Sequence, residues 1–197
     1  MTAQLREVAG VKKYIIMALL ILSDQLIKIT IKLNFMDYDK ILLWEFVRFK
    51  PVKNVDLSWI NSSLKLGFGF LPHILINVIG IIFIYYLYKF YLSKSRETIW
   101  NSSVYALIMA GAFCSLIDKT FWGGSLDYIK YTGFLGGYTF DLKDVYISTV
   151  EVIIVVIFII SLFGGRKYFE SLNSFKFREL AAFAVNDFKK LIKKTGI

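Results

Sequence analysis

From Leu71 to Leu92 the chain carries a single charged residue, Lys89, and from Val145 to Phe163 a single one, Glu151. Stretches this long and this apolar suit the hydrocarbon of a bilayer, where every backbone N–H and C=O must be satisfied inside the segment and only a helix or a closed barrel can do it. Two further apolar runs, about 14–31 and 100–117, follow the same logic. The chain is therefore expected to be a bundle of four transmembrane helices, with spans near 14–31, 71–92, 100–117 and 145–163. Composition agrees, because 56% of the 197 residues are hydrophobic and mean hydropathy is +0.56, more apolar than soluble domains of this length. The net charge of +9 does not point to nucleic acid. Its lysines and arginines flank the apolar runs, as the positive-inside rule requires, and no nucleic-acid reading motif accompanies them. The lone cysteine, Cys114, excludes an internal disulfide and a thiolate metal site.

The chain opens with Arg6, Lys12 and Lys13 ahead of the first apolar run. That start resembles a secretory signal, but Asp24 and Lys28 interrupt the run and no small-residue cleavage site follows, so an uncleaved first span is expected. Asp24 and Lys28 stand at i and i+4 on one helical face and read as a structural ion pair at the helix end. In the outer region 33–70, side chains alternate in polarity over Trp44 to Lys50 and again over Ser63 to Phe70, a period of two that predicts strands. These imply a small sheet on the membrane surface, with Trp44 and Trp59 as interfacial aromatics. Asn61-Ser62-Ser63 matches a glycosylation acceptor and receives no function. His73, without a nearby ligand partner, reads as structural or interfacial rather than metal-binding. Glu151 is expected to be paired or to face the bundle.

Basic flanks at both termini and in the Ser93 to Thr98 connection put both ends on the cytoplasmic side, with Asn54 and Asp127 outside. The chain divides at residue 165 into a four-span domain, 1–165, and a basic tail, 166–197. In the tail Phe177, Leu180, Ala184, Phe188 and Leu191 share one helical face and the lysines lie largely off it, which predicts a C-terminal amphipathic helix on the anionic inner leaflet.

The stretch most suggestive of chemistry runs from Phe113 to Ile147. It leaves one span at Asp118-Lys119, crosses a Gly-rich aromatic loop containing Asp127, and enters the last span at Asp144. Ionisable groups at the edge of a bilayer are functional candidates by default. If the loop, 118–144, folds back so that Asp127 meets Asp144, repulsion between the carboxylates makes them share a proton, as in aspartic proteases. The plainer reading is a pair of loop acids neutralised by Lys119, Lys130 or Lys143. Asp118 and Lys119 read as a local ion pair. Cys114 and Ser115 have no histidine base in reach and read as helix packing.

These residues fall in motifs that resemble the lipoprotein signal peptidase family, also called signal peptidase II. Asp24-Gln25-Leu26-Ile27-Lys28 is similar to the family's D-Q-x-x-K. Asn54 and Trp59 match the ends of N-x-G-A-A-F, and Ser115-Leu116-Ile117-Asp118-Lys119 resembles N-L-I-D-R. Leu126-Asp127-Tyr128-Ile129 is similar to V-D-F-I and Phe140-Asp141-Leu142-Lys143-Asp144 to F-N-x-A-D. Order and spacing hold from Asp24 to Asp144. The resemblance implies an intramembrane aspartic endopeptidase that removes the signal peptide of bacterial prolipoproteins before a diacylglyceryl-modified cysteine. It makes Asp127 and Asp144 the catalytic dyad and puts Asn54, Ser115 and Asp141 at substrate-binding positions, with Asp24, Lys28, Asp118 and Lys119 supporting. It implies no cofactor and no metal, a modified prolipoprotein and membrane lipid as partners, and residence in the bacterial inner membrane with the site at the outer face. Departures fall at Ser115 and Asp141, each for Asn, at Lys143 for a small residue, and at Asp56, Leu57 and Ser58. The competing class is a catalytically inactive scaffold or a proton-coupled carrier built on the same acids.

Overall fold

A computed structural model describes residues 3–55, 67, 69–133, 137–163 and 177–195. Helix α1 runs from Ala3 to Asn34, well past both ends of the expected span, and its segment Gly10–Asn34 is long and apolar enough to cross a membrane. Helix α2, Phe70–Lys94, and the segment Ile99–Trp122 meet the same test. Within the latter, helix α3 covers Ile99–Ile117. A fourth apolar helix, α4, covers Leu142–Phe163 and carries Lys143, Asp144 and Glu151. Leu26 on α1, Ile79 on α2 and Val152 on α4 are each about 60% exposed or more, an arrangement that suits lipid and would be costly in water.

Helix α3 is the hub and packs against α1, α2 and α4. Its Ala106, Ala110 and Cys114 are fully buried, and small side chains of this kind let membrane helices approach closely. At Gly111 a Cβ would lie 2.6 Å from Ile147 Cγ1 and 3.3 Å from the Lys143 carbonyl of α4. Gly111→Ala is therefore expected to pry α4 from α3 at a cost of ~1–3 kcal/mol, the range for overpacking. The check is a lowered thermal midpoint in detergent, and an unchanged midpoint would mean that Ile147 yields freely.

The α2–α3 corner is locked at the end of the bundle where α1 begins. Thr98 and Asn101 form a capping box on α3. Lys13 pairs with Glu97 at 2.9 Å, and Tyr88 and Ser102 also donate to Glu97. Burial would raise the Glu97 carboxyl, but these three donors together hold it below its ordinary value. At the opposite end, α3 runs into a π-helical turn, Asp118–Trp122, closed by Gly123 in the left-handed region at φ 62°. Wide turns of this kind recur at functional sites.

Two strands come from the region expected to be β-rich: β1, Lys40–Leu43, and β2, Val47–Asn54. The alternation read from Trp44 begins as strand only at Val47, because Trp44 sits in the turn of the hairpin at φ 48°. Two more strands come from the segment expected to be a catalytic loop: β3, Ser125–Tyr131, and β4, Tyr138–Phe140. All four form one antiparallel sheet in the order β1-β2-β3-β4. The sheet packs on the end of α1 through Leu126 and Tyr128 against Ile31. The second alternating stretch lies outside the described residues except for Gly67, Gly69 and Phe70, the last of which begins α2. Trp59, the Asn61-Ser62-Ser63 triplet, the Asp56 to Ser58 departures and the basic pair Arg166-Lys167 also lie outside them.

Helix α5, Phe177–Thr195, docks on the last turns of α2. Glu179 pairs with Lys94, Asp187 with Lys89, and Phe183 meets Phe90 edge-on, with Leu180 buried. Glu151 departs from expectation. It is exposed on α4 and enters no ion pair among the described residues.

Candidate active site

Strand pairing sets the first half of the site. Phe49 pairs with Ile129 and Val52 with Asp127, so β2 carries one extra residue around Pro51. Proline cannot donate to a ladder, and a bulge accommodates it. Beyond the bulge Asn54 lies opposite Ser125, and the period of two puts Ser125 and Asp127 on one face. Asn54 Nδ2 donates to Asp127 Oδ2 at 3.2 Å, and Ser125 Oγ lies 2.7 Å from Asp127 Oδ1.

Helix α4 sets the second half. Asp141 caps its N-terminus: the Asp144 amide donates to Asp141 Oδ1 at 3.2 Å and the Asp141 amide to Asp144 Oδ2 at 3.1 Å. This is a reciprocal capping box written D-x-x-D, and it fixes Asp144 by a purely local rule. The Lys143 amide donates to Asp24 Oδ1 at 3.2 Å. The first turn of the helix thus points its free N–H groups and its positive dipole end at carboxylates.

Lys28 draws the elements together. Its ammonium lies 2.8 Å from Asp24, 2.7 Å from Asp118 and 2.8 Å from Asp141, one contact for each of its three N–H donors. Asp24 and Lys28 are fully buried, so the pair read at a helix end is in fact the centre of a network joining α1, the π turn and α4. Gln25 extends it, donating to Asp24 and Asp118 and accepting from Trp122. The expected Asp118–Lys119 ion pair does not form. Asp118 turns to Lys28 and Lys143, while Lys119 Nζ reaches back one helical turn to Ser115 Oγ, which also accepts from Asn77 at 3.0 Å.

The result is a cluster in which Asp127, Asp141 and Asp144 each place a carboxylate oxygen within 4.8 Å of the others. Lys143 stands among them, bonded to Asp141 and Ser125, 3.2 Å from Asp118 and 3.9 Å from one oxygen of both Asp127 and Asp144. Of Lys119, Lys130 and Lys143, Lys143 is the one within ion-pair reach of Asp127 and Asp144. Asp127 is 3% exposed, whereas the Asp144 side chain is 39% exposed. Burial pushes the Asp127 carboxyl above its ordinary value and Asp141 adds to the rise, against the opposing pull of Lys143, Ser125 and Asn54. Burial would raise Asp141 too, but Lys143 and Lys28 outweigh it and hold that carboxyl below its ordinary value.

A cavity of about 1300 Å³ opens beside the cluster. Asn54, Ser115, Asp127 and Asp144 line its polar end, and Ile147, Val152 and Ile153 carry it down the apolar length of α4. Polar groups at one end of a large apolar cleft are what a site for an amphipathic substrate needs. Sequence reasoning missed Ser125, Asn77 and Gln25. Ser125 touches Asp118, Asp127, Asp141 and Lys143, yet its one proton serves a single acceptor at a time. Its position two residues before Asp127 would have exposed it, had the segment been read as a strand.

Residues 16–163 match the family model described as signal peptidase (SPase) II. Two proteins called lipoprotein signal peptidase, from Shewanella sp. strains MR-4 and MR-7, are each 26% identical to the chain over 136 residues, covering 62% of it and 71% of the relative. Among solved structures, a bacterial membrane enzyme determined by the in meso method at 2.3 Å superposes with a TM-score of 0.62 at 18% identity. It covers 79% of this chain and 92% of its own, and a second such structure gives 0.61 at 17%. The fold is shared.

Proposed function

The chain belongs to the signal peptidase II family, and from that premise we propose that it is an aspartic endopeptidase of the bacterial inner membrane that cuts the signal peptide from prolipoproteins just before a diacylglyceryl-modified cysteine. The observation that carries the reading is the meeting of Asp127 and Asp144, from a strand and a helix, at the mouth of a long apolar cleft. One carboxylate, ionised, takes a proton from water as the water oxygen attacks the scissile carbonyl carbon; the protonated partner polarises that carbonyl oxygen. The C–N bond then breaks and the proton passes to the leaving amine. Asn54 and Ser115, on the polar wall of the cleft, orient the substrate backbone. Its lipid and apolar segment lie along α4.

In this reading α4 is the fourth span and the domain of residues 1–165 holds the whole chemistry. The network of Lys13 and Glu97 and the docking of α5 both fall at the end of the bundle opposite the dyad. This supports both termini on the cytoplasmic side with the site at the outer face. Reconstituted protein, incubated with modified and with unmodified prolipoprotein, tests the proposal. Conversion of the modified form alone is expected, and no conversion of either would favour the inactive scaffold.

The tail, 166–197, is assigned to anchoring. Deleting residues 175–197 is expected to lower stability in detergent, because Phe90 loses Phe183 and Lys89 loses Asp187, while leaving cleavage per folded molecule within about twofold. A large fall in that ratio would mean that α5 shapes the site from across the bilayer.

A further inference from the structure

Two of the departures from the family pattern stand side by side in the structure. The positions that resemble Asn and a small residue hold Asp141 and Lys143, which add one negative and one positive charge and bond directly to each other. Neither is solvated: Asp141 is 1% exposed and Lys143 is 6% exposed. The ammonium sits equally far, 3.9 Å, from an oxygen of Asp127 and one of Asp144, while Asp141 lies within 4.8 Å of both. At such distances a single unit charge shifts a neighbouring carboxyl by about 1–3 pH units. Either charge alone would therefore displace the dyad, and the two together nearly cancel.

We propose that Asp141 and Lys143 are a matched pair of positioning residues that sets the pH range over which the Asp127–Asp144 dyad holds one shared proton. The inference rests on the dyad assignment above. The other groups facing the dyad are Asp24 and Lys28 from α1, Asp118 and Lys119 from the π turn and Lys130 from β3, with His73 on α2 at the same end of the bundle. Lys28 also touches Asp141, but when Asp141 is replaced it keeps Asp24 and Asp118, two of its three carboxylate partners. Asp141→Asn keeps a good helix cap and removes one negative charge. Lys143 then loses its nearest carboxylate and keeps Asp118 at 3.2 Å, so its positive field at the dyad rises, both carboxyls become stronger acids, and both limbs of the activity profile move to lower pH. Adding Lys143→Ala removes the surplus positive charge and brings the profile back.

The experiment is the pH dependence of cleavage of a lipid-modified prolipoprotein by the full chain in bilayers, for wild type, Asp141→Asn and the Asp141→Asn/Lys143→Ala double variant. An optimum lower by about 1 pH unit in the single variant, returning to within about half a unit of wild type in the double, is expected. A merely structural role would change the amount of active protein and leave the optimum in place. An unmoved optimum in Asp141→Asn overturns the proposal, and so does a shift that the second substitution does not reverse. Asp127→Asn and Asp144→Asn run in the same assay separate the two claims. If either still cleaves, the dyad assignment fails; if both are inactive and the optimum stays fixed, only the matched pair fails.

Discussion

Asp127→Asn and Asp144→Asn are each expected to reduce turnover by about a thousandfold or more while the protein still inserts and folds, in line with the 10²–10⁴ that a positioned acid or base contributes. Asparagine nearly copies the shape of aspartate but can neither give nor take the proton. At 127 its one oxygen still accepts from Asn54 while its amide turns to the Ser125 hydroxyl oxygen, and at 144 its oxygen still accepts from the Asp141 amide. The local scaffold therefore survives. The loss is expected in kcat, with substrate affinity little changed, because the cleft walls along Ile147, Val152 and Ile153 are untouched. Cleavage rates normalised to folded protein decide it; a variant within tenfold of wild type would remove that aspartate from the chemistry.

Lys28→Met is expected to prevent the accumulation of folded protein. The lysine supplies a hydrogen-bond donor to Asp24, Asp118 and Asp141, all at most 1% exposed. Removing one partner of a buried ionic network costs ~3–5 kcal/mol, because the charges left behind are stranded. Total stabilities are commonly ~5–15 kcal/mol, so this one change uses up a large share. The effect has a pH signature through Asp141, whose carboxyl is held below its ordinary value by Lys143 and Lys28. Its contribution is fully present at neutral pH and is lost as pH falls past the ordinary carboxylate value towards the lowered one. Yield and thermal midpoint in one detergent give the answer. A midpoint within a degree or two of wild type would show that water or protons take over from the lysine.

The helices were legible because a bilayer allows so few solutions to a long apolar run, and the extension of α1 to Ala3 and Asn34 only lengthens the one expected. The strands were half legible. Alternation exposed β2, but in β3 it holds only from Ser125 to Tyr128 before the apolar pair Tyr128-Ile129 breaks it. So short a run, set between glycines, looked like a loop and left Ser125 unnoticed. Asp127 and Asp144 were singled out through the motifs, and Asp144 also through its place at the start of the last apolar run. Asp118–Lys119 was misread because adjacency in sequence says nothing about direction. Successive residues of a helical turn project about 100° apart, and Lys28, from another helix, was the closer cation. Glu151 failed for a related reason, since the expectation of a bundle-facing carboxylate presumed a neighbour on that side of α4.

The most direct test of the central claim is the mass of the products formed from a diacylglyceryl-modified prolipoprotein in water enriched in oxygen-18. Hydrolysis at the proposed bond leaves one labelled oxygen in the carboxyl of the released signal peptide and an unlabelled mature protein that begins with the lipidated cysteine and a free amine. Wild type should yield both products and the Asp127→Asn and Asp144→Asn variants neither. An intact precursor with the wild-type protein, or a cut at any other bond, would contradict the account.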